Sequence, residues 1–136
     1  MSEPFCIERR VEFRDTDAAG IMHFSTFFNR MEEAEHEFLR TRGLSVIMPE
    51  AGGHLSWPRV SVQCDYRKPA RFEDRLAVEL RVEKIGTKSI TYDTLFRVEG
   101  EAIAHGRMTA VCCLFVPGAA PRAIEIPPAI RAKLSG

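Results

Sequence analysis

The chain has 136 residues, of which 45% are hydrophobic, and its 19 basic and 19 acidic side chains cancel at neutral pH. This length suits a single domain over residues 1–136 that buries roughly two-thirds of its unfolded surface, and the zero net charge gives no reason to expect nucleic acid or an anionic membrane as partner. The acidic N-terminus lacks the apolar core of a secretory signal, and no apolar run approaches the ~20 residues of a membrane span. We therefore expect a cytoplasmic protein.

The first segment of the chain alternates apolar and polar residues with a period of two. This pattern predicts a half-buried strand over residues 5–14. Polar residues fall on the face that the sequence assigns to solvent. The residues assigned to the core face are Phe5, Ile7, Val11 and Phe13.

A long helix is predicted from about His23 to Arg42, because aromatic and apolar residues recur there at three- and four-residue spacing. Gly43 follows as a C-terminal stop residue. Ser25 and Thr26 are the candidate N-terminal caps.

The loop between this strand and this helix carries two carboxylates and a glycine. Asp15 and Asp17 are two residues apart, and Gly20 allows a sharp bend or a close approach to another backbone. The helix that follows begins with N–H groups that have no internal partner. A carboxylate can act as base or nucleophile, and free N–H groups can polarise a carbonyl oxygen. The loop therefore has the two parts that hydrolysis of an activated acyl group requires.

The rest of the chain predicts an antiparallel sheet. Residues 44–56 contain one proline and two glycines and are predicted as a connection with at most a short helical turn. Pro127 and Pro128 predict a short final helix that ends near Leu134. Short turns between strands imply antiparallel neighbours, and one such sheet with one long apolar helix must wrap that helix. The predicted strands cover residues 57–66, 75–85, 89–99 and 102–116.

The four cysteines give no metal-binding pattern. None of them forms a C-x-x-C pair, which favours reduced thiols and no metal site. They are Cys6, Cys64, Cys112 and Cys113.

The loop and its flanks resemble the 4-hydroxybenzoyl-CoA thioesterase family of hotdog-fold proteins. The matching residues are Asp15-Thr16-Asp17-Ala18-Ala19-Gly20-Ile21 before an aromatic-rich helix, and the resemblance continues through residues 65–74 and the later strands. It implies an α+β hotdog fold, with an antiparallel sheet of about five strands wrapped around one long helix. It also implies an acyl-CoA thioesterase that needs no cofactor beyond the CoA of its substrate, and a homodimer or homotetramer with active sites between subunits.

The resemblance assigns roles within the loop. Asp17 matches the catalytic carboxylate, and Phe24 matches a residue whose backbone N–H faces the thioester carbonyl. Gly20 is either a bend or a place where substrate meets backbone. On residue pattern alone, Asp17 is also a good Asx-turn or helix-cap residue. Asp15 is expected to organise the loop through hydrogen bonds to backbone N–H groups.

Two other groups of residues are candidates for the chemistry. Some family members carry Tyr-His where this chain has His23-Phe24, so the histidine is displaced by one position, which rotates a helical side chain by ~100°. His23 stays a candidate for substrate contact. Glu32, Glu33 and Glu35 are expected on a solvated face or at a subunit contact, although a second branch of hotdog thioesterases uses a helix glutamate.

Substrate contacts are expected at three places. Lys88 and Ser89 follow a turn where the resembling enzymes have cations that meet the CoA phosphates. Lys68 and Arg71 lie near another strand end, and each is equally consistent with a plain surface charge. Trp57 would either line the acyl pocket or pack in the core.

The residue pattern also raises three alternatives to the thioesterase function. A magnesium-dependent phosphatase with the Asp15 and Asp17 pair would need a parallel sheet, which the second half of the chain disfavours. A hotdog dehydratase would need a helix histidine and a proline-rich motif that this chain lacks. A non-catalytic hotdog module that binds acyl-CoA stays open, as do the acyl group, the choice of CoA or carrier protein, and the nucleophilic or general-base role of Asp17.

Overall fold

One long helix packs across a five-stranded antiparallel sheet in this computed structural model, which describes residues 3–136. The sheet has the strand order β1-β5-β6-β7-β4, and a smaller sheet has the order β2-β3-β8-β9. The arrangement confirms the hotdog fold expected from the resemblance. The elements are β1 (Phe5–Arg10), α1 (Thr26–Thr41), β2 (Met48–Glu50), β3 (Gly53–Ser56), β4 (Arg59–Tyr66), β5 (Arg75–Ile85), β6 (Ser89–Val98), β7 (Glu101–Val111), β8 (Cys113–Phe115), β9 (Arg122–Ala123) and α2 (Pro128–Ser135).

The core lies between α1 and the inner face of the large sheet. Met31 and Ala34 of the helix are fully buried, and burying a side chain the size of methionine stabilises a fold by roughly 1.5–3 kcal/mol. The helix approaches the sheet closely at Gly106, where a Cβ would lie 2.6 Å from the Met31 Sδ. The buried residues of β5 and β6 that complete this layer are Leu76, Val78, Leu80, Ile90, Tyr92 and Phe96.

The first strand is shorter than predicted. It ends at Arg10, and a short 3-10 helix, Phe13–Asp15, follows. The side chain of Asp15 accepts a hydrogen bond from the Glu12 N–H at 2.8 Å, which turns the chain away from the sheet. Phe13 was predicted on the core face, but it is 77% exposed because the strand period has already ended there.

The prediction of a plain connection over residues 44–56 is wrong. β2 and β3 form an antiparallel hairpin there, and β3 pairs with β8. Gly52 has φ +78°, which suits the hairpin turn, and a Cβ on Gly53 would lie 1.9 Å from the Phe115 carbonyl oxygen. The two glycines that indicated a loop thus permit a tight turn and a close strand contact.

The strand predicted over residues 102–116 is divided at Cys112. β7 pairs with β4 and β6 in the large sheet, whereas β8 turns to pair with β3 and β9. The Cys112 N–H bonds the Lys88 carbonyl oxygen at 2.7 Å and marks the change of sheet. The short final helix is confirmed as α2.

β4 forms one open edge of the large sheet. Apolar side chains along this edge are left partly uncovered: Val60 is 61% exposed, Val62 40% and Tyr66 43%. Within residues 3–136, no helix is long and apolar enough to cross a bilayer, and no three His, Cys, Asp or Glu side chains are grouped as a metal site.

Candidate active site

The loop between β1 and α1 holds Asp17 in a tight turn. The Asp17 N–H donates to the Ile21 carbonyl oxygen, and the Gly20 N–H donates to the Asp17 carbonyl oxygen, both at 2.9 Å. Gly20 has φ +80°, a conformation that L side chains rarely adopt. The Asp17 Oδ1 accepts the Ala19 N–H at 2.8 Å, so the Asx-turn expected from the residue pattern is present. In the described part of the chain, the second carboxylate oxygen accepts no hydrogen bond.

Asp17 lies in the wall of a cleft of about 370 Å³ beside the start of α1, which we call the first cleft. The Tyr66 hydroxyl donates to the Phe24 carbonyl oxygen at 2.8 Å and fastens the end of β4 to the entrance of the helix. The Phe24 N–H has no acceptor among residues 3–136. The residues that line the first cleft are Asp17, Ile21, Met22, Phe24, Phe27, Tyr66, Arg67, Lys68 and Pro69.

Asp15 holds the loop in place from its buried side. It is 6% exposed, and its Oδ2 accepts both the Glu12 N–H at 2.8 Å and the Arg30 Nη2 at 2.9 Å. Its carbonyl oxygen accepts the His23 N–H at 2.8 Å. The expected bonding to backbone N–H groups is therefore accompanied by a buried ion pair that sequence reasoning missed. The signal for that pair was Arg30 itself, a charged residue within the apolar stripe of α1.

His23 lies at the helix entrance and is not part of the lining of the first cleft. Its Nδ1 accepts the Ser25 N–H at 3.2 Å and lies 2.7 Å from the Ser25 Oγ. Its ring stacks on Phe24 with 4.5 Å between the centroids. Ser25 is the N-cap residue and makes no side-chain capping bond, and the histidine ring accepts the N–H of Ser25 itself, just before the first turn. A contact with substrate stays a prediction.

A second cleft of about 310 Å³ lies beside the start of β4. Arg59 donates to Glu35 through both Nη atoms, and the contact to Glu35 Oε2 measures 3.1 Å. Glu35 is 1% exposed, so the solvated position predicted for this glutamate is wrong. The cause is the ion pair, which lets the carboxylate face the core. The residues that line the second cleft are Glu32, His36, Val46, Ile47, Ser56, Trp57, Pro58 and Arg59.

Burial shifts the pKa values of the groups behind the second cleft. It raises the pKa of Glu35 to about 7, although the nearby Arg59 opposes the shift. It lowers the pKa of His36, and it raises the pKa of Tyr92, on which the charge of Glu35 acts in the same direction. Each of these groups is therefore biased toward its neutral form.

The remaining predicted substrate residues fall in three places. Lys68 lines the first cleft and forms an ion pair with Glu101. Arg71 is joined to Ile21 of the loop by a single antiparallel bridge. Trp57 is 4% exposed in the wall of the second cleft.

Lys88 and Ser89 lie far from the first cleft along the sheet. Ser89 starts β6, whereas Phe96 near the end of the same strand packs against Phe27 of that cleft. The turn that carries Lys88 lies instead beside the second cleft. The Lys88 carbonyl oxygen accepts the Cys112 N–H, and the preceding Val111 N–H bonds the Pro58 carbonyl oxygen.

The sequence over residues 11–134 matches the family described as the thioesterase-like superfamily. The chain therefore belongs to that superfamily, and its enzyme class is thioesterase.

Individual relatives agree with this assignment. A 1,4-dihydroxy-2-naphthoyl-CoA hydrolase of Prochlorococcus marinus (strain MIT 9303) is 38% identical over 106 residues, which cover 73% of this chain and 70% of that protein. The structure of a gentisyl-coenzyme A thioesterase superposes with a TM-score of 0.80 at 27% identity, covering 95% of this chain and 98% of that one. A 1,4-dihydroxy-2-naphthoyl-CoA thioesterase from Synechocystis has the same fold, with a TM-score of 0.83 at 23% identity and coverage of 97% and 96%.

Proposed function

We propose that the chain hydrolyses the thioester of a small aromatic acyl-CoA to the free acid and CoA, and that Asp17 carries the reaction. The observation that supports this most directly is the position of Asp17. Within residues 3–136, one of its carboxylate oxygens accepts no hydrogen bond and the Phe24 N–H has no acceptor, and both residues line the first cleft. A nucleophile or base and a carbonyl-polarising donor thus border one apolar space.

Two chemical routes fit this arrangement. In the first, an Asp17 oxygen attacks the thioester carbon, the C–S bond breaks, CoA leaves as a thiolate that takes a proton, and water hydrolyses the resulting mixed anhydride. In the second, Asp17 removes a proton from water as the water oxygen attacks the same carbon, the C–S bond then breaks, and the CoA thiolate takes a proton as it leaves. In both routes negative charge builds on the carbonyl oxygen, and a backbone donor such as the Phe24 N–H stabilises it by roughly 2.7–4 kcal/mol. Neither route requires a metal or a cofactor.

A second copy of the chain would complete the site. The open edge of β4 offers unpaired backbone groups and the exposed side chains of Val60, Val62 and Tyr66, and such an edge gains from pairing. Antiparallel pairing of β4 with itself about a two-fold axis sets Tyr66 of one subunit against Arg59 of the other. The first cleft of each subunit would then face the second cleft of its neighbour, giving two composite sites in a homodimer.

This pairing also gives a role to residues that lie outside the first cleft. The second cleft would supply Trp57 as an aromatic wall and Glu32 and Arg59 as polar groups for the acyl moiety. Lys88 and Ser89, which lie beside the second cleft, would come near the entrance for the CoA phosphates. The relatives are named for dihydroxynaphthoyl and gentisyl esters, which favours a hydroxylated aromatic acyl group here.

The test is thiol release from a panel of aromatic and aliphatic acyl-CoA esters by wild type and Asp17→Asn. Asparagine keeps the Oδ1 acceptor that bonds the Ala19 N–H, so the loop should keep its shape. We expect kcat to fall by about 10²–10⁴-fold. Asp93→Asn, on the sheet face opposite the helix, is the matched control and should keep wild-type turnover.

Other results would change the assignment. Turnover that survives Asp17→Asn would remove the carboxylate from this role and direct attention to Glu32 and His23. Absence of turnover on every ester, with aryl-CoA still bound tightly, would favour the non-catalytic acyl-CoA-binding module.

A further inference from the structure

The proposed reaction does not use the buried carboxyl group of Glu35. Glu35 lies in the middle of α1 with 1% of its surface exposed, and both of its carboxylate oxygens accept hydrogen bonds from the Arg59 guanidinium. A buried ion pair is often no more stable than well-packed apolar residues of the same volume. The pair therefore calls for an explanation other than stability.

The guanidinium of Arg59 is fixed from three directions. Besides Glu35, it donates to the Trp57 carbonyl oxygen at 2.9 Å and to the Glu32 Oε2 at 3.3 Å. Its Nε donates to no group in the described part of the chain. Glu35 thus holds a cation at the wall of the second cleft, where it also bonds the Trp57 carbonyl oxygen and a second carboxylate.

The other titratable groups around Glu35 come from two elements. From α1, the His36 Nε2 lies 3.7 Å from the Glu35 Oε1 and has no hydrogen-bond partner in the described residues. From β6, Tyr92 is buried, and the charge of Glu35 acts on its hydroxyl. The charge of Glu32, also on α1, acts on Glu35 as well and raises its pKa. Among the arginine and lysine side chains of the described residues, Arg59 is the one that pairs with Glu35, so the orientation of the guanidinium depends on this carboxylate.

We propose that Glu35 is a positioning residue for substrate selection, which holds Arg59 so that the second cleft prefers acyl groups bearing a hydroxyl substituent over purely hydrocarbon ones. The proposal rests on the composite site described above. Arg59 and Glu32 present a donor and an acceptor side by side, and a phenolic hydroxyl can accept from one and donate to the other. A cleft built to bond a hydroxyl rejects the analogue that lacks it, because its polar groups are then left unpaired.

The experiment compares the binding of 4-hydroxybenzoyl-CoA and benzoyl-CoA in the Asp17→Asn background, where turnover does not interfere. Adding Glu35→Gln removes the charge and one of the two acceptors while keeping the volume. We expect the preference for the hydroxylated ester, measured as a ratio of Kd values by calorimetry, to fall about tenfold, the equivalent of one net hydrogen bond. Glu37→Gln, an ion-paired glutamate on the same helix that is 41% exposed, is the control and should leave the ratio unchanged.

A pH series separates positioning from simple structural support. Burial raises the pKa of Glu35 to about 7, so acidification from pH 8 to pH 5.5 protonates this carboxylate. The preference of the Asp17→Asn protein for the hydroxylated ester should therefore fall over this range. The phenol stays neutral at the acidic end, so the change reports the protein. With Glu35→Gln the ratio should be independent of pH, whereas a purely structural residue would change both affinities together and leave the ratio constant.

A second variant protects the test against misfolding. Glu35→Leu with Arg59→Met replaces the ion pair by apolar side chains, which a buried position tolerates well, and it should lose the preference to the same extent. An undiminished preference in either folded variant would overturn the proposal. Loss of turnover in Asp17→Asn tests the proposed hydrolysis separately, because the binding ratio does not depend on catalysis.

Discussion

The two clefts differ in how their charged groups are partnered. In the first cleft, Asp17 accepts one backbone N–H and has no cation within ion-pair distance among residues 3–136. In the second cleft, Glu35 and Glu32 both accept hydrogen bonds from Arg59. A carboxylate that is to attack or take a proton must be free of a strong partner, whereas groups that select a substrate must be fixed. The contrast suits chemistry in the first cleft and recognition in the second.

The same contrast separates two neighbours within the loop. Asp15 is buried and paired with Arg30, and Asp17, two residues later, faces the first cleft. The Arg30 guanidinium that α1 brings to the loop is bound by Asp15 and Glu33. Asp15 therefore supports the loop, and Asp17 is left available.

The largest effect is expected from a variant that prevents the first cleft of one subunit from meeting the second cleft of the other. Val62→Lys puts a cation near the middle of the exposed edge of β4, where the two-fold axis of the proposed dimer would bring two such charges together. We expect the variant to sediment as a monomer. Its kcat/KM should fall by at least about 100-fold, because the first cleft of each subunit would no longer face the second cleft of a partner subunit.

The control for this variant is Leu95→Lys on the opposite face of the sheet, which adds the same charge without touching the edge. It should keep the dimer and its activity. A monomeric Val62→Lys protein with full activity would show that one subunit contains a complete site.

The next prediction concerns stability. Arg30→Met leaves the Asp15 carboxylate buried without its cation, and breaking a buried pair in this way costs about 3–5 kcal/mol. We expect the free energy of unfolding in urea to fall by about that amount, while the folded fraction keeps kcat within a few-fold. Arg40→Met, an exposed arginine of the same helix, should change stability by less than about 0.5 kcal/mol. A loss of kcat as large as that of Asp17→Asn would mean that the buried pair takes part in the chemistry.

The smallest effect is expected at His23. Asparagine at this position retains an acceptor for the Ser25 N–H, so His23→Asn preserves the bond that the ring makes in the structure. We expect kcat and KM to change by less than about threefold. A fall in kcat of about 10²-fold or more would instead identify His23 as an acid or base in the reaction.

The sequence predicted the large sheet and α1 well because their periodicities are long and regular. It failed where tertiary contacts override local pattern. Residues 44–56 have too few alternating positions to indicate a strand, and the glycines that suggested a loop were needed for contact with β8. Phe13 continued the alternation by one step beyond the point where Asp15 ends the strand.

Of the candidate site, the sequence predicted the residues of the first cleft but not the ion pair behind the second cleft. Asp17, Gly20 and Phe24 are local to one motif, so the sequence brings them together without help from the fold. The Glu35 and Arg59 pair joins residues that are 24 positions apart, and nothing in the local pattern of either residue indicates it. From the sequence alone, Glu35 and Arg59 are only two charged residues whose partners are unknown.

The hydrogen bond from the Tyr66 hydroxyl to the Phe24 carbonyl oxygen, 2.8 Å long, acts as a mechanical link. It fastens the last residue of the edge strand to a residue two positions before the start of α1. If the proposed homodimer dissociates, β4 loses its neighbour and can fray, and the start of α1 would loosen with it. Dilution below the dissociation constant of that dimer would then lower the activity while each subunit stays folded.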